Sequence, residues 1–219
     1  MTALLFDFGG TLDGDGTPWL DRFYDLYKEE GVDPGRERFA RAFYDADDRL
    51  ASRHKLPGKG LEETVALQAR DVCASLAADR PELAEKIAGR FISDCRKAFS
   101  RNKPVLERLA RKHKLGIVSN FYGNLDSVLA SEDLASYFGV VADSAVLGSI
   151  KPEPKIFQHA LEALRTDAKE ALMIGDSIPR DMRGAEGLGL RHALIASGGT
   201  TCCPQALVAA SLPALEPLL

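Results

Sequence analysis

The chain has 219 residues, 45% of them hydrophobic, which is enough for a sizeable core and an accessory domain. A net charge of −4 with no dominant basic cluster argues against nucleic acid or an anionic membrane surface as partner. The apolar run before Asp7 is too short for a signal-peptide core, and no run approaches the roughly 20 residues that span a bilayer, so a soluble, cytoplasmic protein is expected. The four cysteines, at 73, 95, 202 and 203, show no Cys-x-x-Cys spacing and no histidine placed to share a zinc; reduced, unpaired thiols are expected.

In chain order, Ala3 to Phe6 reads as a short buried strand that delivers Asp7 to its C-terminal tip, followed by the turn Phe8-Gly9-Gly10-Thr11. In an open α/β sheet, ligands bind in the crevice beyond the carboxyl ends of the strands, so an Asp at this point is placed for chemistry. Residues 17–100 have a different texture. Leu20, Phe23, Tyr24 and Tyr27 form one apolar stripe at helical spacing, and Phe39, Ala42, Phe43, Ala46 and Leu50 a second. Leu61, Val65, Ala69, Val72 and Leu76 make a third, and Leu83, Ile87, Phe91, Cys95 and Phe99 a fourth. Four amphipathic helices without a strand signal describe a small helical domain over 17–100, bounded by Gly14-Asp15-Gly16 and the polar Ser100 to Lys103.

From Pro104 the chain alternates. Pro104 starts a helix over Val105 to His113, a strand ends at Ser119, a helix covers Leu125 to Ala130, and a short strand covers Val140 to Ala142. A helix over 154–164, a strand over 171–174, a helix from about 179 to 187 and a strand from His192 to Ala196 follow. Such alternation predicts an α/β fold in which residues 1–16 and 101–219 form a parallel sheet with helices on both faces.

Asp7-Phe8-Gly9-Gly10-Thr11 resembles the first motif of the haloacid dehalogenase-like hydrolase superfamily, usually Asp-x-Asp-x-Thr. Leu115 to Asn120 resembles the second motif, an apolar strand ending in Ser or Thr, and Gly148-Ser149-Ile150-Lys151-Pro152 the third. Ala171 to Asp181, with Gly175-Asp176 and a second Asp five residues later, resembles the fourth. Val208 to Leu215 also resembles the closing strand and helix of such proteins. The resemblance implies a Rossmann-like parallel-sheet core and a helical cap of the C1 type inserted after the first motif. It also implies hydrolysis of small phosphorylated metabolites through an aspartyl-phosphate on Asp7. Monomer and homodimer are both compatible with the sequence.

The residues support such chemistry on their own terms. Asp7 and Asp176 both end apolar strands, and two carboxylates facing one crevice repel unless something positive sits between them. Mg²⁺, which takes one or two carboxylates plus phosphate and water, is the natural cofactor. The resemblance adds the backbone carbonyl of Gly9 as a metal ligand. Lys151 can hold both the Asp7 carboxylate and a transferring phosphoryl group, while the Ser119 hydroxyl can donate to its oxygens. By resemblance, Gly10, Thr11 and Asn120 contact the phosphate. Asp181 reads either as a group that orients a metal-bound water or as a helix N-terminal acid favoured by the dipole. Taken singly, each has an ordinary reading: a strand-end turn for Asp7, a solvated residue before proline for Lys151, a turn for Ser119-Asn120.

Gly9 departs from the pattern. The phosphatases this chain resembles use a carboxylate there to protonate the leaving alcohol and then to activate water, help typically worth about 10²- to 10⁴-fold. Reduced turnover of poor leaving groups is expected, and Gly9→Asp is expected to raise it. Phosphonate- and haloacid-cleaving relatives also lack that carboxylate, so both activities stand as alternatives, as does a catalytically impaired phosphate- and metal-binding protein. Gly175-Asp176 weighs against a dehalogenase, which works without the metal. A phosphonatase needs a cap lysine for a Schiff base, and the loop carrying Lys55 and Lys59 reads as solvated. Asp13, Asp15 and His54 are candidates to replace the missing acid.

Overall fold

Ala3–Phe6 forms β1 at the centre of a six-stranded sheet in the computed structural model, which describes residues 2–76, 80–196, 203 and 205–219. The other strands are β2 (Lys114–Ser119), β3 (Val140–Asp143), β4 (Ala171–Gly175), β5 (Arg191–Ile195) and β6 (Leu207–Ala209). They are ordered β3-β2-β1-β4-β5-β6, and every pairing is parallel. The chain builds outward from β1 through β2 and β3, then crosses back to its other edge for β4. That reversal makes the carboxyl end of β1 a topological switch point, where α/β sheets bind ligands. Phe6 is in register with Ile117 and Ile174, and the Asp7 N–H carries the ladder one step further to the Ile174 carbonyl at 2.9 Å.

Both faces of the sheet are covered, so its strands are nearly continuous apolar runs. Ala3 and Leu5 point one way, into a core shared with Ile156, Phe157, Ala160 and Leu161 of α7 (Pro154–Leu164). Ala185 of α8 (Arg183–Gly187) joins it. Leu4 and Phe6 point the other way, into a core shared with α5 (Leu125–Ser131), α9 (Leu212–Leu215) and the end of α4 (Pro81–Ala110).

That second core does not stop at the sheet. The insertion between β1 and β2 comprises α1 (Trp19–Glu29), α2 (Arg36–Arg53), α3 (Leu61–Ser75) and α4, and its aromatic residues Trp19, Phe23, Phe39, Phe43 and Phe91 belong to the same apolar cluster as Leu4, Phe6 and Phe8. The four helices follow the four stripes, α2 over the residues its spacing indicates.

Two expected elements are corrected. Pro104 does not start a helix: α4 runs unbroken from Pro81 to Ala110 with Pro104 inside it. Its ring removes one N–H from the helical ladder, but Phe99, Val105, Leu106 and Leu109 are buried around it, and that packing carries the helix through. Residue 100 therefore lies within a helix, and dividing the chain into 17–100 and the remainder is our proposal. The segment after β4 is a π-helical turn, Ile178–Met182, that runs into the short α8, and a further short helix, α6 (Ser144–Leu147), follows β3.

Cys73 and Cys95 are free and buried. Cys203 is disulfide-bonded rather than reduced, which corrects the expectation drawn from redox compartment alone. Cys202 lies outside the described residues. No helix among the described residues is long and apolar enough to cross a membrane.

Candidate active site

Asp7, Ser119 and Asp176 leave the ends of β1, β2 and β4 on one side of the sheet, and Lys151 reaches them from the loop before α7. One oxygen of Asp7 is fully engaged. Asp7 Oδ1 accepts the Phe8 N–H at 2.7 Å and the Ser119 hydroxyl at 2.7 Å, and it lies 2.8 Å from Lys151 Nζ. Oδ2 accepts no hydrogen bond among the described residues, and Asp7 lines the cavity beyond the strand ends.

Lys151 is buried, with its ammonium also 2.7 Å from Asp181 Oδ1. Burial works against its charge, but Asp181 and Asp7 outweigh that cost and hold its pKa above the ordinary lysine value. Asp181 is tied on its other oxygen by the Ser177 N–H at 3.0 Å. Asp176 accepts the Thr11 hydroxyl on Oδ1 at 2.8 Å. Ligand oxygens of Asp7, Asp176 and Asp181 lie within 4.8 Å of one another, and the one ammonium beside them pairs with Asp7 and Asp181 only. Burial, then Asp7 and Asp181, push the Asp176 carboxyl up to about 8. Burial raises Asp181 as well, to about 6 against the pull of Lys151.

This excess of negative charge is what a divalent cation would relieve. The free Oδ2 atoms of Asp7 and Asp176 and the Gly9 carbonyl, which accepts no hydrogen bond among the described residues, are suitable donors; Asp181 is committed to Lys151 and the Ser177 N–H. Two glycines make the approach possible. Gly10 has φ of 90°, and a Cβ there would lie 2.5 Å from Asp176 Oδ2; a Cβ at Gly175 would lie 2.3 Å from Asp181 Oδ2.

The other expected residues are placed as follows. Asn120 accepts the Lys151 N–H on Oδ1 at 2.7 Å and donates from Nδ2 to the Lys151 carbonyl at 3.2 Å, so both ends of its amide brace the lysine. Asp13 is buried away from the cavity, accepting Gly10 N–H and Trp19 Nε1–H, each at 2.6 Å, and facing Arg22 at 3.0 Å. Asp15 pairs with Arg101, and His54 with Asp71. None of the three lines the cavity over Asp7, and neither do Lys55 and Lys59.

Residues 1–189 match the haloacid dehalogenase-like hydrolase family. The chain belongs to that family. Its helical insertion between β1 and β2 occupies the place of the C1 cap. Among haloacid dehalogenase-like relatives, a bovine protein called haloacid dehalogenase-like hydrolase domain-containing protein 3 is 37% identical over 83 residues, which are 38% of this chain and 33% of that protein. A phosphoserine phosphatase of Thermus thermophilus is 30% identical over 126 residues, 56% of this chain and 51% of that one. The chain thus spans between a third and about half of these relatives. A solved structure of a phosphatase of the family from Thermococcus onnurineus is 26% identical with a TM-score of 0.57, covering 100% of this chain and 97% of that one.

The cap of this haloacid dehalogenase-like protein contributes what sequence reasoning missed. A cavity of about 340 Å³ lies over Asp7, walled by Trp19, Phe43, Tyr44, Phe121 and Tyr122, with Asp47, Arg36 and Arg180 among its polar groups. Asp47 gave one local signal: it follows Phe43 by four residues and precedes Leu50 by three, which sets a carboxylate on the flank of the buried stripe of α2.

Proposed function

We propose that the protein is a Mg²⁺-dependent phosphomonoester hydrolase of small phosphorylated metabolites, acting through an aspartyl-phosphate on Asp7. One observation carries this reading: Asp7, Asp176 and Asp181 bring ligand oxygens within 4.8 Å of one another, the ammonium of Lys151 pairs with two of them, and Asp7 and Asp176 line the cavity beneath the insertion. The names of the Thermus and Thermococcus relatives support it.

Asp7 is the nucleophile, its carboxylate oriented by the Ser119 hydroxyl and the Phe8 N–H. Lys151, kept charged by Asp7 and Asp181, draws the phosphoryl oxygens toward the nucleophile. Thr11 orients Asp176, Asn120 fixes the main chain of Lys151, and the Gly10 turn lets Asp176 come close. A cation held by Asp7, Asp176 and the Gly9 carbonyl would neutralise charge on the phosphoryl group. The cap walls the leaving-group side and limits substrates to small ones.

Carbon–halogen hydrolysis is the weaker reading because Asp176 supplies a carboxylate beside Asp7 that such chemistry does not need. Schiff-base cleavage of phosphonates is weaker too, since Lys151, committed to two carboxylates, is the cavity's lysine among the described residues. A panel of p-nitrophenyl phosphate and metabolite phosphates, with and without Mg²⁺, tests the proposal. Mg²⁺-dependent phosphate release that Asp7→Asn abolishes is expected. No release from any ester would leave a binding protein, and metal-free halide release a dehalogenase.

A further inference from the structure

Position 9 has no carboxylate, so the leaving oxygen of a phosphate ester needs its proton from another group in the cavity. Four carboxyl groups line it among the described residues: Asp7, Asp21, Asp47 and Asp176. Asp7 is the nucleophile and Asp176 faces the cation in the reading above. Asp21 is taken up by an ion pair with Arg36. Asp47 remains.

Its setting suits a group that exchanges a proton. Asp47 stands on α2 of the cap, half-buried, and the Tyr122 hydroxyl from the loop after β2 donates to its Oδ1. Gln68 of α3 donates to the same oxygen from Nε2 at 2.9 Å. Both donors bind one oxygen, and Oδ2 accepts no hydrogen bond among the described residues. The carboxyl is therefore fixed at one end and open at the other. Burial raises its pKa above the ordinary carboxylate range, with Asp48 adding to the shift and the hydrogen bonds from Tyr122 and Gln68 and the charge of Arg180 opposing it. The group thus holds a proton closer to neutral pH than a solvated aspartate does.

We propose that Asp47 is the proton-transfer residue of this enzyme, supplied by the cap in place of a carboxylate at position 9. The proposal rests on the phosphatase reading. In the first half-reaction an Asp7 oxygen bonds to phosphorus, the bond from phosphorus to the alcohol oxygen breaks with its electron pair on that oxygen, and the Asp47 acid protonates it. In the second, Asp47 carboxylate takes a proton from water as the water oxygen bonds to phosphorus and the bond to Asp7 breaks. Alcohol and phosphate leave, and both aspartates return to their starting states. Because Asp47 belongs to the cap and Tyr122 to the core, the acid is in position when the two are in contact.

The test is Asp47→Asn assayed with Mg²⁺ over phosphates from p-nitrophenyl to simple alkyl esters, alongside intact-mass measurement of quenched protein. Alkyl esters are expected to slow by about 10²- to 10⁴-fold. With p-nitrophenyl phosphate, an initial burst should survive and a protein heavier by one phosphoryl group should accumulate, since water has lost its base. Tyr122→Phe keeps the carboxyl but removes a donor to its charged form, so the acidic limb of its pH–rate profile should move to higher pH. Uniform slowing across all esters without phosphorylated protein would overturn the proposal in favour of a structural role, and unchanged kinetics would overturn it outright. An unmodified protein that releases no phosphate from any ester would overturn the phosphatase reading itself, and this assignment with it.

Discussion

The Trp19 indole stands against Gly9: a Cβ built on Gly9 would lie 3.2 Å from Trp19 Nε1. That nitrogen is held by Asp13 Oδ2 at 2.6 Å, and the ring packs edge-on to Phe91 with centroids 5.0 Å apart. A side chain at position 9 would therefore meet an anchored ring from the cap.

Gly9→Asp should consequently not restore a general acid, contrary to what the motif alone suggests. The substitution overpacks a site whose neighbours are fixed, which costs about 1–3 kcal/mol. Urea unfolding should show that loss, and steady-state turnover should not rise. A gain of tenfold or more would mean that the indole moves aside readily and that the space is available to the substrate.

How much of this was legible in the sequence depends on whether the signal was local. A four-residue apolar run before Asp7, and the same arrangement before Ser119 and Asp176, identify strand ends without help from the rest of the chain. The stripe Phe39, Ala42, Phe43, Ala46, Leu50 marks α2 for the same reason. Pro104 misled because the local rule places proline at helix starts, whereas here burial on both sides of it decides. Asp47 and Tyr122 are 75 residues apart, on cap and core, and no periodicity connects them. Asp13, Asp15 and His54 had suitable chemistry, yet the fold gives each a partner outside the cavity.

Asp176 carries opposite consequences for stability and for metal binding. Its folded pKa lies near 8 in the metal-free protein, above an unfolded value of about 3.9. The folded state thus binds more protons across that range, and stability must fall as pH rises from about 4 to about 8. In EDTA, Asp176→Asn should flatten this dependence and be the more stable protein at pH 8. With Mg²⁺ the order should reverse, because only the carboxylate gains from the cation. Parallel pH–stability curves for the two proteins in EDTA would show that the carboxyl is not under this electrostatic load.

Lys151 offers a complementary test, since it compensates two of the three carboxylates. Lys151→Met leaves Asp7 and Asp181 buried and facing each other, and breaking a buried pair by removing one partner costs about 3–5 kcal/mol. Denaturant midpoints in EDTA should register that loss. A loss below about 1 kcal/mol, the range of exposed ion pairs, would show that water reaches these carboxylates freely.

Removing the cap should do more than broaden specificity. Phe8 packs against Phe99 at 5.9 Å between ring centroids, and Phe121 packs against Trp19 at 6.1 Å, so the sheet-side core continues into the insertion. Replacing residues 17–100 by a short linker uncovers Phe8 and Phe121 at about 1.5–3 kcal/mol each. It also removes the first 20 residues of α4, whose remaining turns pack on the sheet. Against a typical domain stability of roughly 5–15 kcal/mol, those losses leave little margin. The truncated chain should therefore show a broad, non-cooperative thermal transition and bind apolar dye. A sharp transition with Mg²⁺ binding retained would instead show that the sheet and its own helices form a self-sufficient core, with the insertion packed on it as an independent unit.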